Sequence, residues 1–338
     1  MASQTISLCM ITKNEENYLE QCLDSVKDFA DEIIIADTGS EDNTKEICKK
    51  FGPKTKFFDF KWVDDFSAAR NESLKHATKD WILILDADEL IDAENKNKIK
   101  DAIQNAEKNC VGFSIEQRSY IKEISEGARK NNSDFAPAKD FSFYIPNNMV
   151  RIFRNNLGIE FKHRIHELVE ESIKEKNLQY KKTDIIIHHF GSVKDSKFMS
   201  EKVEQYSKLI IKQLQDNQKS ARYNYQAARM YILKKDFKNA IGYFEKAAKL
   251  DPDYKLVFSE IAKVYLGTGN KEKAIEYFKK SMERNPKNPS PANNLAVVYM
   301  SIGKFENAKK ILEDVIKKNP ENEALKYNYQ MVLKNMKK

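Results

Sequence analysis

The sequence predicts an α/β domain with a mostly parallel sheet, followed by an all-α solenoid of helical repeats. Three observations lead there. Short apolar runs alternate with amphipathic helical stretches over the first third of the chain. Two of those runs end in aspartate, at Asp37 and Asp86. Over the last third, Pro252, Pro286 and Pro320 recur at an interval of 34 residues.

Residues 5–11 form an apolar run suited to a buried strand. Tyr18, Leu19, Cys22, Leu23 and Val26 then recur at helical spacing, with Asn14 placed to cap that helix. Residues 32–36 are the next buried strand. Asp37-Thr38-Gly39-Ser40 follows, then a helix that Gly52-Pro53 stops near Phe51. Residues 56–60 and 81–85 read as the third and fourth strands, with a helix over 67–77 between them. Strands this apolar, alternating with helices, imply a parallel sheet covered on both faces. Ligands of such sheets lie beyond the carboxyl ends of the strands, which is where Asp37 and Asp86 stand. Further on, residues 110–116, 148–153 and 184–189 read as strands. The polar stretch 122–142, with Gly127 and Pro137, reads as a mobile loop of the kind that forms a lid or an acceptor-binding element.

The repeat positions extend beyond proline. Ala228, Ala262 and Ala296 correspond, as do Tyr231, Tyr265 and Tyr299, and Ala240, Ala274 and Ala308. Phe244, Phe278 and Leu312 fill another shared position. Small residues let paired helices approach closely and the large ones fill the space between them. This period and pattern resemble tetratricopeptide repeats. Residues 323–338 continue as a polar capping helix, and 195–217 read as a degenerate leading helix. The expected division is a catalytic domain over 1–193, a connecting helix or half-repeat over 194–220, and three repeats plus cap over 221–338.

Composition narrows the class. The chain has 338 residues, 41% of them apolar, with a mean hydropathy of −0.67. That length suits about two domains. No apolar run approaches the ~20 residues of a membrane span, and the start lacks the basic and apolar regions of a signal peptide. Cys9, Cys22, Cys48 and Cys110 fit no zinc spacing and no disulfide framework, so reducing cytoplasm is the expected compartment. Residues 1–220 hold 34 basic and 38 acidic side chains; residues 221–338 hold 24 and 13. The basic half could attract an acidic partner, or its lysines could simply solvate repeat helices. No basic aromatic cluster points to nucleic acid.

Asp86-Ala87-Asp88 places two carboxylates just after an apolar strand. Carboxylates suit hard divalent cations, and a cation there could hold and neutralise a departing diphosphate. Asp37 could accept from a nucleobase N–H, or it could form the turn in which Gly39 permits positive φ. Arg70, at a helix start, could bind a diphosphate or make a surface ion pair.

Taken together, the runs ISLCMITKNEE, EIIIADTGSEDNT, DDFSAARNESL and WILILDADEL, in this order, resemble the inverting glycosyltransferases of family 2, which have a GT-A fold. The resemblance is close over residues 5–92. It continues more loosely through MVRIFRN, HRIHELVE and IIIHHFG to about residue 192. With its repeat module the chain is similar to a subgroup that includes S-glycosyltransferases of glycosylated bacteriocins and some protein or surface-glycan transferases.

That resemblance implies a UDP-sugar donor, UDP-glucose or UDP-GlcNAc, and a Mn²⁺ or Mg²⁺ ion. Asp37 would bind uracil, and Thr12 would lie near the nucleotide. Arg70 would touch base or diphosphate. Asp86 would face ribose and metal, and Asp88 would be the firmest metal ligand. A C-terminal histidine would complete the metal site; strand alternation sends His188 and His189 to opposite faces, and His189, before Phe190-Gly191, matches the family better. Packing as a neutral side chain is the alternative for it. An inverting transfer needs a base to deprotonate the acceptor. Glu167 is the first candidate, then His166 beside His163, then Glu116 on an earlier strand. The competing reading of Glu167 is a structural ion pair with Arg164 or Arg151. The repeats suggest a peptide or protein acceptor, a partner subunit or a homodimer. Two other classes compete: a catalytically dead scaffold working through its repeats, and a nucleotidyltransferase. Intact Asp86 and Asp88 oppose the first. The second calls for a Gly-rich loop where Thr12-Lys13-Asn14-Glu15 stands.

Overall fold

Along β1 (Ile6–Thr12), β2 (Glu32–Asp37) and β4 (Trp81–Ile84), nearly every residue is buried, and neighbours along each strand go to opposite cores. Leu8, Met10, Ile33, Ile35 and Leu83 join one apolar cluster with α1 (Leu19–Val26), α2 (Thr44–Lys50) and α4 (Ala93–Gln104). Cys9, Ile34, Ile82 and Ile84 join another, with Phe161, Val169 and Ile173. The sheet is therefore covered on both faces, as its apolar strands require.

The computed structural model describes residues 4–123, 127–191, 196–254 and 257–337. The chain divides into two compact units, Met1–Glu201 and Lys202–Lys338. The first also contains β3 (Thr55–Asp59), α3 (Phe66–Lys75), β5 (Glu89–Leu90), β6 (Cys110–Ile121), β7 (Arg129–Lys130), β8 (Phe143–Arg154), α5 (Glu170–Glu175) and β9 (Gln179–His189). The strand order is β3-β2-β1-β4-β8-β6-β9-β5, with β7 on β8. β3, β2, β1 and β4 are parallel. Beyond them the sheet is mixed: β8 runs antiparallel to β4 and β6, β9 parallel to β6, and β5 antiparallel to β9. The expected mostly parallel sheet holds for that first half only, because β6 and β8 form a long antiparallel pair that needs no helical crossover.

Two local expectations are corrected. Asn14 does not cap α1, whose N-cap is Tyr18. Its φ is 54°, and its Oδ1 accepts from Glu41 N at 2.8 Å, so it ties the turn after β1 to the turn after β2. The stretch 122–142 is not simply a polar loop. Its described part contains β7 and a 3₁₀ turn at Ala136–Ala138, and Phe135 and Phe141 pack against Tyr120, Tyr144 and Phe190.

The second unit is helical: the remainder of α6 (Ser196–Asp216), then α7 (Ala221–Leu233), α8 (Phe237–Leu250), α9 (Val257–Gly267), α10 (Lys271–Arg284), α11 (Ser290–Ser301), α12 (Phe305–Lys318) and α13 (Glu323–Met336). Helices adjacent in sequence pack on one another. The repeated alanines at 228, 262, 296, 240, 274 and 308 are fully buried, as are Phe244, Phe278 and Leu312. No described helix is long and apolar enough to cross a membrane.

Glu32 is the polar tie of the parallel half. Its Oε1 accepts from Ser7 Oγ at 2.6 Å and from Thr78 N, and Lys56 Nζ lies 3.1 Å from Oε2. Burial opposes its charge, but these donors outweigh burial and hold its pKa at about 2, against an ordinary 4.5. A depressed carboxylate stabilises the fold above its unfolded pKa and loses that contribution as pH falls towards the folded value. Glu32→Gln is expected to cost about 2–3 kcal/mol at neutral pH. It should also flatten the loss of stability between about pH 5 and pH 2. Urea unfolding across that range checks both; equal slopes for variant and parent would contradict the assignment.

Candidate active site

Asp37 ends β2 and Asp86 stands two residues beyond β4, but the two strand ends are built differently. Asp37 is fully buried. Its Oδ2 accepts from Gly39 N at 3.2 Å and Ser40 N at 2.9 Å, and its Oδ1 accepts from Ser40 Oγ and from Thr12 Oγ1 at 3.3 Å. Lys45 Nζ stands 3.7 Å away. Thr12 and Asp37 are thus joined, in a turn that Gly39 closes at φ 108°.

Asp86 lies in a cluster of charges. Its Oδ1 accepts from Arg70 Nη2 at 2.5 Å and its Oδ2 from Arg151 Nη2 at 3.2 Å. Arg70 comes from α3, whose N-cap Asp65 accepts from Ala68 N at 3.1 Å. Arg70 Nε donates to Glu167 Oε1 at 3.0 Å, and the guanidinium lies over the Phe161 ring at 5.7 Å. Glu167 reaches it because Asn71 holds Phe161 N at 2.7 Å and Phe161 O at 3.0 Å, which docks the 161–168 turn on α3. Arg70 Nη1 is buried with no hydrogen-bond partner among the described residues. Burial disfavours the charge on Asp86, but Arg70 and Arg151 outweigh burial and hold its pKa far below the usual range.

Asp88 points elsewhere. His189 Nε2 is 3.6 Å from its Oδ1, and His189 Nδ1 lies 2.9 Å from Ser119 Oγ. The contact follows from strand pairing: β5 begins right after Asp88, and Glu89 pairs with His189 across β5 and β9. Phe190 N also donates to Asp88 O at 3.0 Å. Burial opposes protonation of His189, but Asp88, Glu89 and Asp86 outweigh it and raise its pKa. Gly191 closes the pair. A Cβ there would stand 2.4 Å from Asp88 Oδ2 and 2.7 Å from His189 Nε2.

Other candidates lie apart from this cluster. His188 is on the opposite face of β9, between Tyr120 Oη at 2.7 Å and Asp92 Oδ2 at 2.9 Å. Glu116 pairs with Arg118 Nε at 2.8 Å, on the face of β6 opposite Gln117 and Ser119. His166 is exposed, with φ 55°. His163 Nε2 lies 2.9 Å from Glu171. The ion pair of Glu167 is with Arg70, not Arg164 or Arg151, because the docked turn aims it at α3. Arg164 instead faces Asp65 at 3.6 Å.

Sequence reading missed Glu89, Gln117 and the inward role of Arg151. Glu89 is fully buried; its Oε2 accepts from Asp86 N at 2.8 Å, and its Oε1 from Gln117 Nε2 and from Arg151 Nη2 at 3.3 Å. Burial raises its pKa, against the pull of Arg151. One signal was present: Arg151 is a lone cation between buried Val150 and Ile152.

Family profiles match parts of both units. Residues 7–147 match the glycosyl transferase family 2 profile, and 272–327 match a tetratricopeptide repeat profile. Residues 227–294 match the profile of regulator of microtubule dynamics protein 1-3. A TPR repeat-containing protein of Synechococcus elongatus is 34% identical over 57% of this chain and 44% of its own length. The SPbeta prophage-derived glycosyltransferase SunS of Bacillus subtilis is 34% identical over 48% of this chain and 34% of its own. The lipopolysaccharide core biosynthesis glycosyltransferase LpsC of Rhizobium meliloti is 25% identical over 64% and 74%. The matches to the first two of these relatives span less than half of those proteins' lengths. Among solved structures, MamA aligns at 16% identity with a TM-score of 0.37, over 42% of this chain and 83% of that one.

Gly191→Ala is expected to push Asp88 and His189 apart, at an overpacking cost of about 1–3 kcal/mol. Denaturant unfolding and a crystal structure of the variant check this. An undiminished stability with Asp88 and His189 still in contact would contradict the placement.

Proposed function

We propose that this chain, whose front domain is a family 2 glycosyltransferase domain followed by tetratricopeptide repeats, transfers a sugar from a UDP-sugar to a peptide or protein side chain with inversion at the anomeric carbon. The observation that carries the reading is the divergence of Asp86 and Asp88, one turned to two arginines and the other to His189.

A divalent cation fits the Asp88–His189 pair. One carboxylate and one imidazole suit Mn²⁺, and Mg²⁺ through the carboxylate. Gly191 lies against both groups, where a side chain would collide with them. Among the described residues no three His, Cys, Asp or Glu converge as a metal cage. When bound, such an ion neutralises charge gathering on the leaving diphosphate.

The protein's own groups do the rest. Arg70 Nη1, its one buried donor without a partner, is suited to a diphosphate oxygen, which replaces the missing acceptor. Asp86 keeps Arg70 and Arg151 in place, and Thr12 and Asp37 hold the turn that would receive the base and ribose. Glu167, anchored through Oε1, takes the acceptor's proton as the acceptor bonds to the anomeric carbon and the bond to the β-phosphate oxygen breaks. The repeat unit presents the acceptor. The four free, buried cysteines accord with work in the cytoplasm. Likeness to LpsC favours a second reading in which the acceptor is a saccharide.

Release of nucleoside diphosphate from a panel of UDP- and GDP-sugars, with and without Mn²⁺, tests the reading. We expect slow, metal-dependent release from one UDP-sugar, reduced at least about a hundredfold in Asp88→Asn with the fold retained. Normal release by that variant would remove the metal argument. Donor binding without turnover, under every acceptor class tried, would leave the scaffold.

A further inference from the structure

His188 is 1% exposed and has no part in the chemistry above, yet both ring nitrogens are engaged. Nδ1 lies 2.7 Å from Tyr120 Oη, and Nε2 lies 2.9 Å from Asp92 Oδ2. Asp92 is the N-cap of α4: its Oδ1 accepts from Asn95 N at 2.7 Å, and Asn95 Nδ2 reaches both its oxygens at 2.9 Å. Asn95 Oδ1 in turn accepts from Ile186 N at 2.7 Å. The network closes on itself through β6, β9 and α4.

Its polarity is fixed by chemistry. An ionised carboxylate only accepts, so His188 Nε2 carries the proton and donates to Asp92. Nδ1 then accepts from the Tyr120 hydroxyl. The rings add packing: Tyr120 stacks on His188 at 5.7 Å and on Phe190 at 5.2 Å, and Phe135 meets His188 at 4.2 Å.

His188 on β9 and Phe190 just after it are thus fixed on one side of the chain, and His189 between them has one direction left. That direction holds Ser119 and Asp88. We propose that His188 is a positioning residue, and that the Tyr120–His188–Asp92 chain locks the end of β9 so that His189 and Asp88 stand ready to share a divalent cation. This rests on the metal reading of Asp88 and His189 given above.

The test measures binding of Mn²⁺ in the presence of UDP, by titration calorimetry and by the loss of the free-ion EPR signal, in the full chain and in Tyr120→Phe and His188→Gln. Tyr120→Phe keeps the stacked ring and removes one hydroxyl, so it decides the matter if His188→Gln does not fold. Both variants are expected to bind Mn²⁺ about tenfold or more weakly, with UDP affinity in the absence of metal unchanged. Long-range ¹H–¹⁵N spectra should show one histidine locked as the neutral Nε2–H tautomer, lost in His188→Gln. A purely structural role would lower the melting temperature and leave Mn²⁺ affinity of the folded variant within twofold of the parent; that result overturns the inference. A parent that binds no Mn²⁺ overturns the metal reading itself, and the inference with it. The two failures are told apart by whether the parent or only the variants give the unexpected result.

Discussion

Two guanidinium groups, from Arg70 and Arg151, converge on the carboxylate of Asp86 just beyond the end of β4. Burying a charge costs several kcal/mol unless it is paired and its remaining donors or acceptors are met. Here the pairing draws on distant parts of the chain. Arg70 is delivered by α3, Arg151 by β8, Glu89 by the segment after β4, and Glu167 by the turn docked on α3. Each of these elements could form from local pattern alone. Their mutual placement is set by the need to bring two buried cations and three carboxylates together, because leaving one member unpaired would destabilise the domain by about 3–5 kcal/mol.

The cluster explains why two aspartates one residue apart serve different ends. Ala87 between them is buried, at 4% exposed, and the backbone turns so that Asp86 faces Arg70 and Arg151 while Asp88 faces His189. Glu89 anchors that turn by accepting from Asp86 N, and Asp88 O accepts from Phe190 N. The segment is held from the cluster on one side and from the end of β9 on the other. A carboxylate held this way loses little further freedom when it meets a ligand, which is the condition for a preorganised site.

Legibility in the sequence followed the range of the interaction. Strands β1 to β4 and the repeats were readable because each is specified locally, by runs of apolar residues or by alanines spaced at 34. The aspartates at strand ends were readable because topology puts ligands there. Glu89 was not, since a lone glutamate ahead of Leu90 and Ile91 looks like any strand edge. Its burial depends on Gln117 and Arg151, 28 and 62 residues away. Asn14 misled for a related reason: asparagine caps helices and also accepts left-handed φ, and only the contact with Glu41 decides between them. The mixed half of the sheet escaped because long antiparallel strands such as β6 and β8 alternate polar and apolar residues on several partners at once.

Register decides the rest. β6 and β9 pair with irregularities between Cys110 and Gly112 and again between Ser114 and Glu116, after which Gln117 meets Ile187 and Ser119 meets His189. Because side chains alternate, this alignment puts Gln117, Ser119 and His189 on the face of the charge cluster, and Tyr120, His188 and Phe190 on the aromatic face. A slip of one residue would exchange the two sets, turning His188 towards Asp88 and burying His189 among rings. The bulges upstream and the two-residue strand β5, which pairs Glu89 with His189, exclude that slip. The chemistry of the site therefore rests on backbone pairing far more than on the identity of any single neighbour, and the histidine that meets Asp88 is chosen by the sheet.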